Sequence, residues 1–415
     1  MRSAAGVIAA TVLALAPLSI GSAQTSGLRF SISFPKSIHA EPITGRAFLV
    51  ISRDSSPEPR YQMHPLDRAL PTFGRDVNGL AAGAPVTIDA SVAGYPLKSL
   101  SDLPAGDYYA QAVLNVYTEF HRADGHTIWA HMDQWEGQNF VTSAGNLYSV
   151  PQKFHVDART VGTHALVLTM VNPPRQIPPD TKWVKQIKIQ SKLLSAFWGR
   201  PIYIGASVLL PAGYDDHPDV HYPVIYDQAH FGLRPPLRFT ESTRPFSPEV
   251  VAEMVDNGQD TPLEFSSAWT GPAFPRMIAI LFQHPTPYFD DSYAVNSANN
   301  GPYGDAILTE LIPYLEQHFR IIAKPYARVL TGGSTGGWES LALQIHHPDF
   351  FGGTWTEYPD PVDFRHYGQV DIYADTNAFV FTGAGGSFVG PASEWQHRER
   401  FLMRTAAGQP VASLR

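Results

Sequence analysis

The sequence predicts an α/β protein with two folded units. A small antiparallel β-sandwich is expected over residues 28–170, and an α/β domain with a mostly parallel sheet over residues 181–415. In the first unit, apolar and polar residues alternate in short stretches, as they do in half-buried strands. In the second, short apolar runs lie between helical patterns, as in a buried parallel sheet. Residues 172–180 contain four prolines, which disfavour helix and strand and place a linker at residues 171–180.

The bulk composition of the 415-residue chain fits a globular protein with ample core. Apolar residues make up 44% of the chain, the ordinary share for such a protein. The formal net charge of −8 argues against nucleic acid as a partner. The absence of cysteine excludes disulfides, thiol catalysis and cysteine-based zinc sites.

The first 23 residues have the features of a secretory signal peptide. Arg2 provides a positive start, an apolar stretch follows from Ala4 to Leu18, and Gly21-Ser22-Ala23 forms a small-residue cleavage site. An uncleaved membrane anchor is the alternative, but the apolar run is short and Pro17 breaks it. We therefore expect cleavage after Ala23, a secreted or periplasmic location and no membrane span.

The β-sandwich is predicted from strands separated by turn residues. In DYYAQAVLNVYTEF, alternate residues share one face with a period of two: Tyr108, Ala110, Ala112, Leu114 and Val116. The turn HRADG follows, and HTIWAHM is expected to form the return strand. Antiparallel strands at this spacing indicate an immunoglobulin-like sandwich.

The second unit alternates between strand and helix patterns. TKWVKQIKIQS, RPIYIGASVLLP, YPVIYDQ, MIAILFQ and ARVLTGG are predicted strands. GDAILTELIPYLEQHF is predicted to be a helix that Pro313 kinks. A further helix is expected after Ser334, with one apolar face made of Trp338, Leu341, Ala342 and Ile345.

Residues 332–336 match the pattern G-x-S-x-G, with Gly332 and Gly336 flanking Ser334. The pattern alone is weak, but here a predicted strand precedes it and a predicted helix follows it. That context is the one in which a strained turn exposes a nucleophilic serine. A phosphate-binding turn is the alternative, but no lysine occupies a Walker-type position. The sequence therefore favours Ser334 as a nucleophile.

Three stretches of the second unit carry a family resemblance: TGGSTGGWESLALQ, YPVIYDQAHFG and QHPTPYFDDSYAVNSANNGPYGDAILTELIPYLEQHFR. Over about residues 202–363 the chain resembles the putative-esterase family of α/β-hydrolases, relatives of the esterase D and enterochelin-esterase-like enzymes. The resemblance implies an eight-stranded, mostly parallel sheet. It also implies a Ser–His–acid triad that hydrolyses carboxylic esters through an acyl-enzyme.

The resemblance assigns roles to individual residues. Ser334 corresponds to the nucleophile, and the backbone N–H of Thr335 to one donor of the oxyanion hole. The second donor comes from the loop centred on Ala229 and His230, where this sequence departs from the family's usual His-Gly pair. Asp360 is the candidate acid, with Asp363 as the alternative; beside prolines, both also fit as turn formers.

The catalytic histidine is not evident from the sequence. His346 and His347 fall near the end of the helix after Ser334, His366 follows the next strand too early, and His397 lies in a charged, helix-like run from 393 to 408. No final pair of strands is evident. We therefore expect a sheet that is incomplete at its C-terminal edge, and a truncated chain or fragment that is inactive for want of that histidine.

These features predict a secreted serine esterase that acts on a small-molecule or polysaccharide-linked ester, without metal or other cofactor. Asp290-Asp291 is predicted to be a loop and not a calcium site. One alternative is a non-catalytic carbohydrate- or surface-binding protein on a hydrolase scaffold, with Trp129 and Trp135 as a stacking platform. Another is an acyltransferase. The sequence determines neither the acyl and alcohol groups nor the oligomeric state.

Overall fold

The computed structural model describes residues 27–63, 69–157, 160–256 and 260–363, together with short segments at 365–367, 370–371, 373–375, 380–382, 388–391, 402–404 and 410–413. The predicted signal peptide lies outside these ranges, so its assignment stays a prediction. Within the described ranges, every helix is too short or too polar to span a lipid bilayer.

Residues 28–171 form β-sheets that are mainly antiparallel. The strands are β1 (Leu28–Ser33), β2 (Ile43–Ser52), β3 (Thr72–Leu80), β4 (Val86–Ile88), β5 (Gly94–Tyr95), β6 (Gly106–Val116), β7 (Thr118–His121), β8 (Thr127–Ala130), β9 (Leu147–Tyr148), β10 (Gln152–Val156), β11 (Gly162–Val167) and β12 (Met170–Val171). One sheet has the order β11-β1-β4, and a larger one has the order β12-β9-β6-β2-β3-β5, with β10 also paired to β6. The strands β7 and β8 form a separate hairpin around the predicted turn.

The two sheets of this unit share one hydrophobic core. Phe30 and Ile32 of β1 belong to it, as do alternate residues of β2 and β6. The face predicted for β6 is the one that packs into this core, from Tyr108 to the half-buried Val116. Residues 172–183 then form neither helix nor strand. The immunoglobulin-like topology and the domain boundary at residue 170 stay predictions.

The second unit is built on a six-stranded sheet that includes all five predicted strands. Its strands are β13 (Val184–Ser191), β14 (Ile202–Leu209), β15 (Val224–Gln228), β16 (Ile278–Gln283), β19 (Arg328–Gly333) and β20 (Gly353–Glu357), while β17 (Asn296–Ser297) and β18 (Gly301–Pro302) form a small hairpin. The order is β13-β14-β16-β15-β19-β20. The last four run parallel, but β13 and β14 are antiparallel to their neighbours. The sheet is therefore mixed, with three parallel and two antiparallel strand pairs, and the prediction of a mostly parallel sheet is confirmed only in part.

Helices cover both faces of this sheet. They are α1 (Lys192–Trp198), α2 (Pro248–Asp256), α3 (Pro262–Thr270), α4 (Tyr303–Ala306), α5 (Ile312–His318) and α6 (Thr335–His346). On one face, Val208 and Ile280 pack with residues of α4 and α5. On the other, Leu209 and Ala279 pack with Trp269 of α3. Because neighbouring residues of a strand point to opposite faces, burial on both faces explains the continuously apolar strands.

The helix that contains Pro313 is irregular, whereas the predicted kink stays a prediction. Residues Ile307–Leu311 form a π-helical segment between α4 and α5, and Pro313 lies in the first turn of α5. Proline lacks the N–H that an α-helix requires in its interior, and a π-helical turn is one way to accommodate the irregularity.

The helix α6 buries a different face from the one predicted. Ala342 is buried, but Trp338 and Leu341 are only partly buried and Ile345 is 59% exposed. Glu339, Ser340 and Leu343 point inward instead. The first turn of α6 packs tightly against the sheet through its glycines, and this contact fixes which side of the helix faces the core.

Beyond residue 363 the described segments are short strands. They are β21 (His366–Tyr367), β22 (Val370–Asp371), β23 (Val380–Thr382), β24 (Phe388–Pro391), β25 (Leu402–Arg404) and β26 (Pro410–Ser413). They pair consecutively in hairpins and not with the six-stranded sheet. The strand β25 lies inside the run predicted as helix-like, so that prediction is wrong for residues 402–404.

Candidate active site

Ser334 lies where β19 passes into α6. Its φ of 57° and ψ of −122° are a strained combination for a residue with a side chain. Two backbone hydrogen bonds hold the turn: Ser334 N–H donates to the Glu357 carbonyl at 3.2 Å, and its own carbonyl accepts from Asp360 N–H at 3.1 Å. The Ser334 side chain is exposed at the carboxyl end of the parallel strands. This is the strand–turn–helix geometry that the G-x-S-x-G pattern requires.

The glycines of the pattern are needed because backbone segments meet closely here. A Cβ atom on Gly336 would lie 1.9 Å from the Gln228 carbonyl oxygen, and one on Gly332 would lie 2.3 Å from the Gly336 oxygen. On the other side, a Cβ on Gly337 would lie 2.5 Å from the Glu357 oxygen. The turn is therefore packed between the ends of β15 and β20.

The residues predicted for the oxyanion hole border this turn. Gln228 of β15 pairs in register with Gly332 of β19, so Ala229 and His230 leave the sheet at the same edge as Ser334. Thr335 is the first residue of α6, and its N–H has no acceptor within its own helix. The positive end of the helix dipole also lies at this point. Their role as oxyanion donors stays a prediction.

Asp360, the candidate acid, lies directly beside the serine. Its carboxylate accepts hydrogen bonds from the hydroxyls of Ser334 at 3.3 Å, Thr335 at 2.8 Å and Tyr293 at 3.0 Å. Burial, together with the neighbouring Asp360, raises the pKa of Tyr293 to about 12, so Tyr293 keeps its proton and remains a donor. Asp360 was predicted to act behind a histidine, whereas in the structure it contacts the serine itself.

A histidine–aspartate pair lies at the same edge. His230 Nδ1 is 2.5 Å from Asp291 Oδ2 and 3.7 Å from Asp290 Oδ2. The hydrogen bond to Asp291 raises the pKa of His230, although partial burial opposes this. Burial is the largest single influence on the pKa of Asp291 and would raise it. The hydrogen bonds from His230 and the Tyr293 N–H, together with the charge interactions with His284 and His230, outweigh burial and lower the pKa. The Asp291 carboxylate therefore stabilises the imidazolium that forms when His230 takes up a proton.

The histidines downstream of Ser334 are placed differently. His346 ends α6 and His347 follows it, roughly 18 Å along the helix from Ser334 at 1.5 Å per residue. His366 lies in β21, which pairs with β22 and not with the main sheet. His397 lies outside the described residues. His230, which the sequence assigned only to the oxyanion loop, follows β15 at the same sheet edge as Ser334.

A second, fully buried pair lies beneath the site. His284 and Glu339 are 1% and 0% exposed, and His284 Nε2 is 3.8 Å from Glu339 Oε2. His284 Nδ1 accepts the Ser292 N–H at 3.2 Å, so its proton is on Nε2. Burial lowers the pKa of His284 and raises that of Glu339 well above its usual range. Both groups are therefore neutral near pH 7, and the Ser292 contact fixes the loop that carries Asp291.

Glu339 should make the stability of the fold depend on pH. Because its pKa is raised in the folded state, the unfolded chain ionises first, and stability is lost as pH rises above the ordinary value of 4.5. Replacing Glu339 by Gln should remove this loss of stability as the pH rises above 4.5. Urea unfolding of wild type and E339Q at increasing pH measures it, with the exposed Glu241→Gln as control. Parallel wild-type and E339Q curves would contradict a neutral, buried Glu339.

One cluster has the donor atoms for a metal ion. The ligand atoms of His230, Asp290 and Asp291 lie within 4.8 Å of one another. A cation would compete here with the proton that His230 shares with Asp291, since both need the same lone pairs. The described geometry is that of a hydrogen-bonded histidine–aspartate pair.

Comparison with known proteins agrees with the esterase resemblance. The family described as "Putative esterase" matches residues 285–401, which include Ser334 and Asp360, and this confirms the resemblance predicted from the motifs. No curated protein matches the chain significantly.

Several solved structures are similar to parts of the chain. A ferulic acid esterase is 20% identical, over 42% of this chain and 58% of that chain, with a TM-score of 0.30. A CE1 ferulic acid esterase from Anaeromyces mucronatus is 22% identical, over 45% and 63%, with a TM-score of 0.25. An IroE-like serine hydrolase from Shewanella oneidensis is 18% identical, over 43% and 51%, with a TM-score of 0.26. The chain thus spans less than two thirds of the length of each.

Proposed function

We propose that the protein is a serine-dependent carboxylic ester hydrolase with Ser334 as its nucleophile. The observation that carries this proposal is the conformation of Ser334: an exposed serine held at positive φ between a parallel strand and a helix N-terminus. Such strain persists where the surrounding structure enforces it, and it is concentrated at functional sites. The family match over residues 285–401 supports the same reaction class.

The proposed reaction passes through an acyl-enzyme. Ser334 Oγ attacks the ester carbonyl carbon while a base takes its proton, and the carbonyl oxygen becomes an oxyanion. The N–H of Thr335 and the loop at Ala229 and His230 are the proposed donors to that oxyanion. The C–O bond then breaks, the alcohol leaves with a proton, and water hydrolyses the Ser334 ester in a second step.

The substrate is proposed to be a small-molecule or polysaccharide-linked ester met outside the cytoplasm. The predicted signal peptide supports the location, and the exposed position of Ser334 supports access for a bulky substrate. The non-catalytic alternative has less support, since Trp135, half of its proposed stacking platform, is 5% exposed and packs edge-on against Phe231.

An ester assay separates the alternatives. Purified protein lacking residues 1–23 should release p-nitrophenol from p-nitrophenyl acetate, and Ser334→Ala should not. If added methanol is converted to methyl acetate while little free acetate forms, the acyltransferase alternative is favoured. No serine-dependent release, for lack of a working base, would favour the inactive or binding alternatives and overturn the proposal.

Replacing Asp360 by Asn should lower the rate about tenfold to a hundredfold. An amide cannot accept the hydroxyls of Ser334, Thr335 and Tyr293 together, so the serine loses its fixed orientation. Stopped-flow release of p-nitrophenol measures the effect. Asp363→Asn is the matched control, because Asp363 forms an exposed ion pair with Arg365. Equal rates for the two variants would show that Asp360 does not position the nucleophile.

A further inference from the structure

In α/β-hydrolases the histidine that acts as general base usually follows the last strand of the sheet. Among the described residues, no obvious base occupies that position. Asp360 touches the Ser334 hydroxyl, but its carboxylate already accepts three hydroxyl donors. A carboxylate is a weak base and therefore a poor match for a serine proton near pH 7. Asp360 therefore holds the serine without activating it, and the proton needs another acceptor.

His230 lies in the loop after β15, at the sheet edge where Ser334 is exposed. Gln228 and Gly332 are register partners on adjacent parallel strands, so His230 and Ser334 each lie two residues beyond the same rung. Adjacent strands are about 4.8 Å apart. The Gly336 backbone lies against the Gln228 carbonyl, and the lack of a side chain there lets the first turn of α6 lie in close contact with the end of β15.

The surroundings of His230 prepare it for proton transfer. Its Nδ1 is tied to the buried Asp291, and Asp291 is itself held by the Tyr293 N–H at 3.1 Å. This leaves Nε2 as the available nitrogen on a side chain that is 58% exposed. Besides Asp291, the charged or titratable groups that act on His230 are Asp290, Asp360 and the neutral His284.

We propose that His230 is the general base that activates Ser334, and that Asp291 is its positioning residue. This inference rests on the proposed function. The Ser334 hydroxyl turns from Asp360 toward the loop and gives its proton to Nε2 as the Oγ–carbon bond forms. The imidazolium, stabilised by Asp291, returns the proton to the leaving alcohol as the ester C–O bond breaks. In deacylation, a water gives its proton to Nε2 by the same route.

The test is the rate at which a fluorophosphonate phosphonylates Ser334, with loss of fluoride, and the rate at which p-nitrophenyl acetate acylates it. His230→Ala should slow both by about 10²- to 10⁴-fold, and added imidazole should restore part of the p-nitrophenol release. His346→Ala, at the far end of α6, is the matched control and should react like wild type. Asp291→Asn should move the acid limb of the pH–rate profile to lower pH, because the carboxylate charge that favours the imidazolium is gone.

The outcomes separate this inference from the proposed function. If Ser334→Ala still reacts, the proposed function fails. If only Ser334→Ala is inactive and His230→Ala stays within about threefold of wild type, the base lies elsewhere and this inference is overturned. If His230→Ala does not fold, the Asp291→Asn profile decides, and an unmoved acid limb overturns it. Loss of wild-type activity in a chelator, restored by Zn²⁺ or Ca²⁺, would also overturn it by making His230 a metal ligand.

Discussion

Ser334→Ala is expected to lower ester turnover by about four to six orders of magnitude while leaving the fold intact. Without Oγ no acyl-enzyme can form, and the residual rate comes only from oxyanion stabilisation and binding. The turn itself is held by backbone hydrogen bonds to Glu357 and Asp360, which an alanine retains. Loss of one exposed hydroxyl should therefore change the free energy of unfolding by no more than about 0.5 kcal/mol.

The measurement combines single-turnover kinetics with urea unfolding of the same preparation. Ser242→Ala, at an exposed serine of the same unit, is the control and should retain the wild-type rate. A Ser334→Ala protein that is inactive because it is unfolded would not support the account. A folded variant with more than about a tenth of the wild-type rate would refute the nucleophile assignment.

Gly336→Ala is expected to damage both stability and activity. Its Cβ would lie 1.9 Å from the Gln228 carbonyl oxygen and 2.5 Å from the carbonyl carbon, and these are backbone atoms that cannot move aside as a flexible side chain can. Either α6 or the end of β15 must shift. We expect a loss of about 3 kcal/mol or more in the free energy of unfolding. The shift would also separate Ser334 from the loop at His230, so any folded fraction should be inactive.

Gly232→Ala provides the matched comparison for that experiment. It lies in the neighbouring loop, and the nearest atom to its Cβ would be 3.7 Å away, an ordinary contact. This variant should unfold within about 1 kcal/mol of wild type. If Gly336→Ala proved as stable as Gly232→Ala, the close packing of the turn against β15 would be wrong.

The local features of the site could be predicted from the sequence. Ser334 and its flanking glycines, the strand before them and the helix after them all fall within about 20 residues. Their residue types report backbone constraints directly, since only glycine tolerates such contacts. The strands of the second unit were also predictable, because burial on both faces leaves continuously apolar runs.

The rest depends on contacts between distant parts of the chain. His230 was predicted only as part of an oxyanion loop, and its partner Asp291, 61 residues later, was taken for an ordinary loop residue. Glu339 looks like a surface residue of α6 in the sequence, yet it is fully buried against His284. In both cases only the fold brings the residue next to the partner that determines its chemical role. A single sequence carries no signal for that pairing.

The central claim is that the Ser334 hydroxyl is an activated nucleophile at a sharp turn. Peptide mapping by mass spectrometry after reaction with a fluorophosphonate tests it most directly. The account predicts one phosphonyl group per chain, attached to Ser334, and no labelling of heat-unfolded protein. A native protein that stays unlabelled, or that carries the group on a different residue, would contradict it.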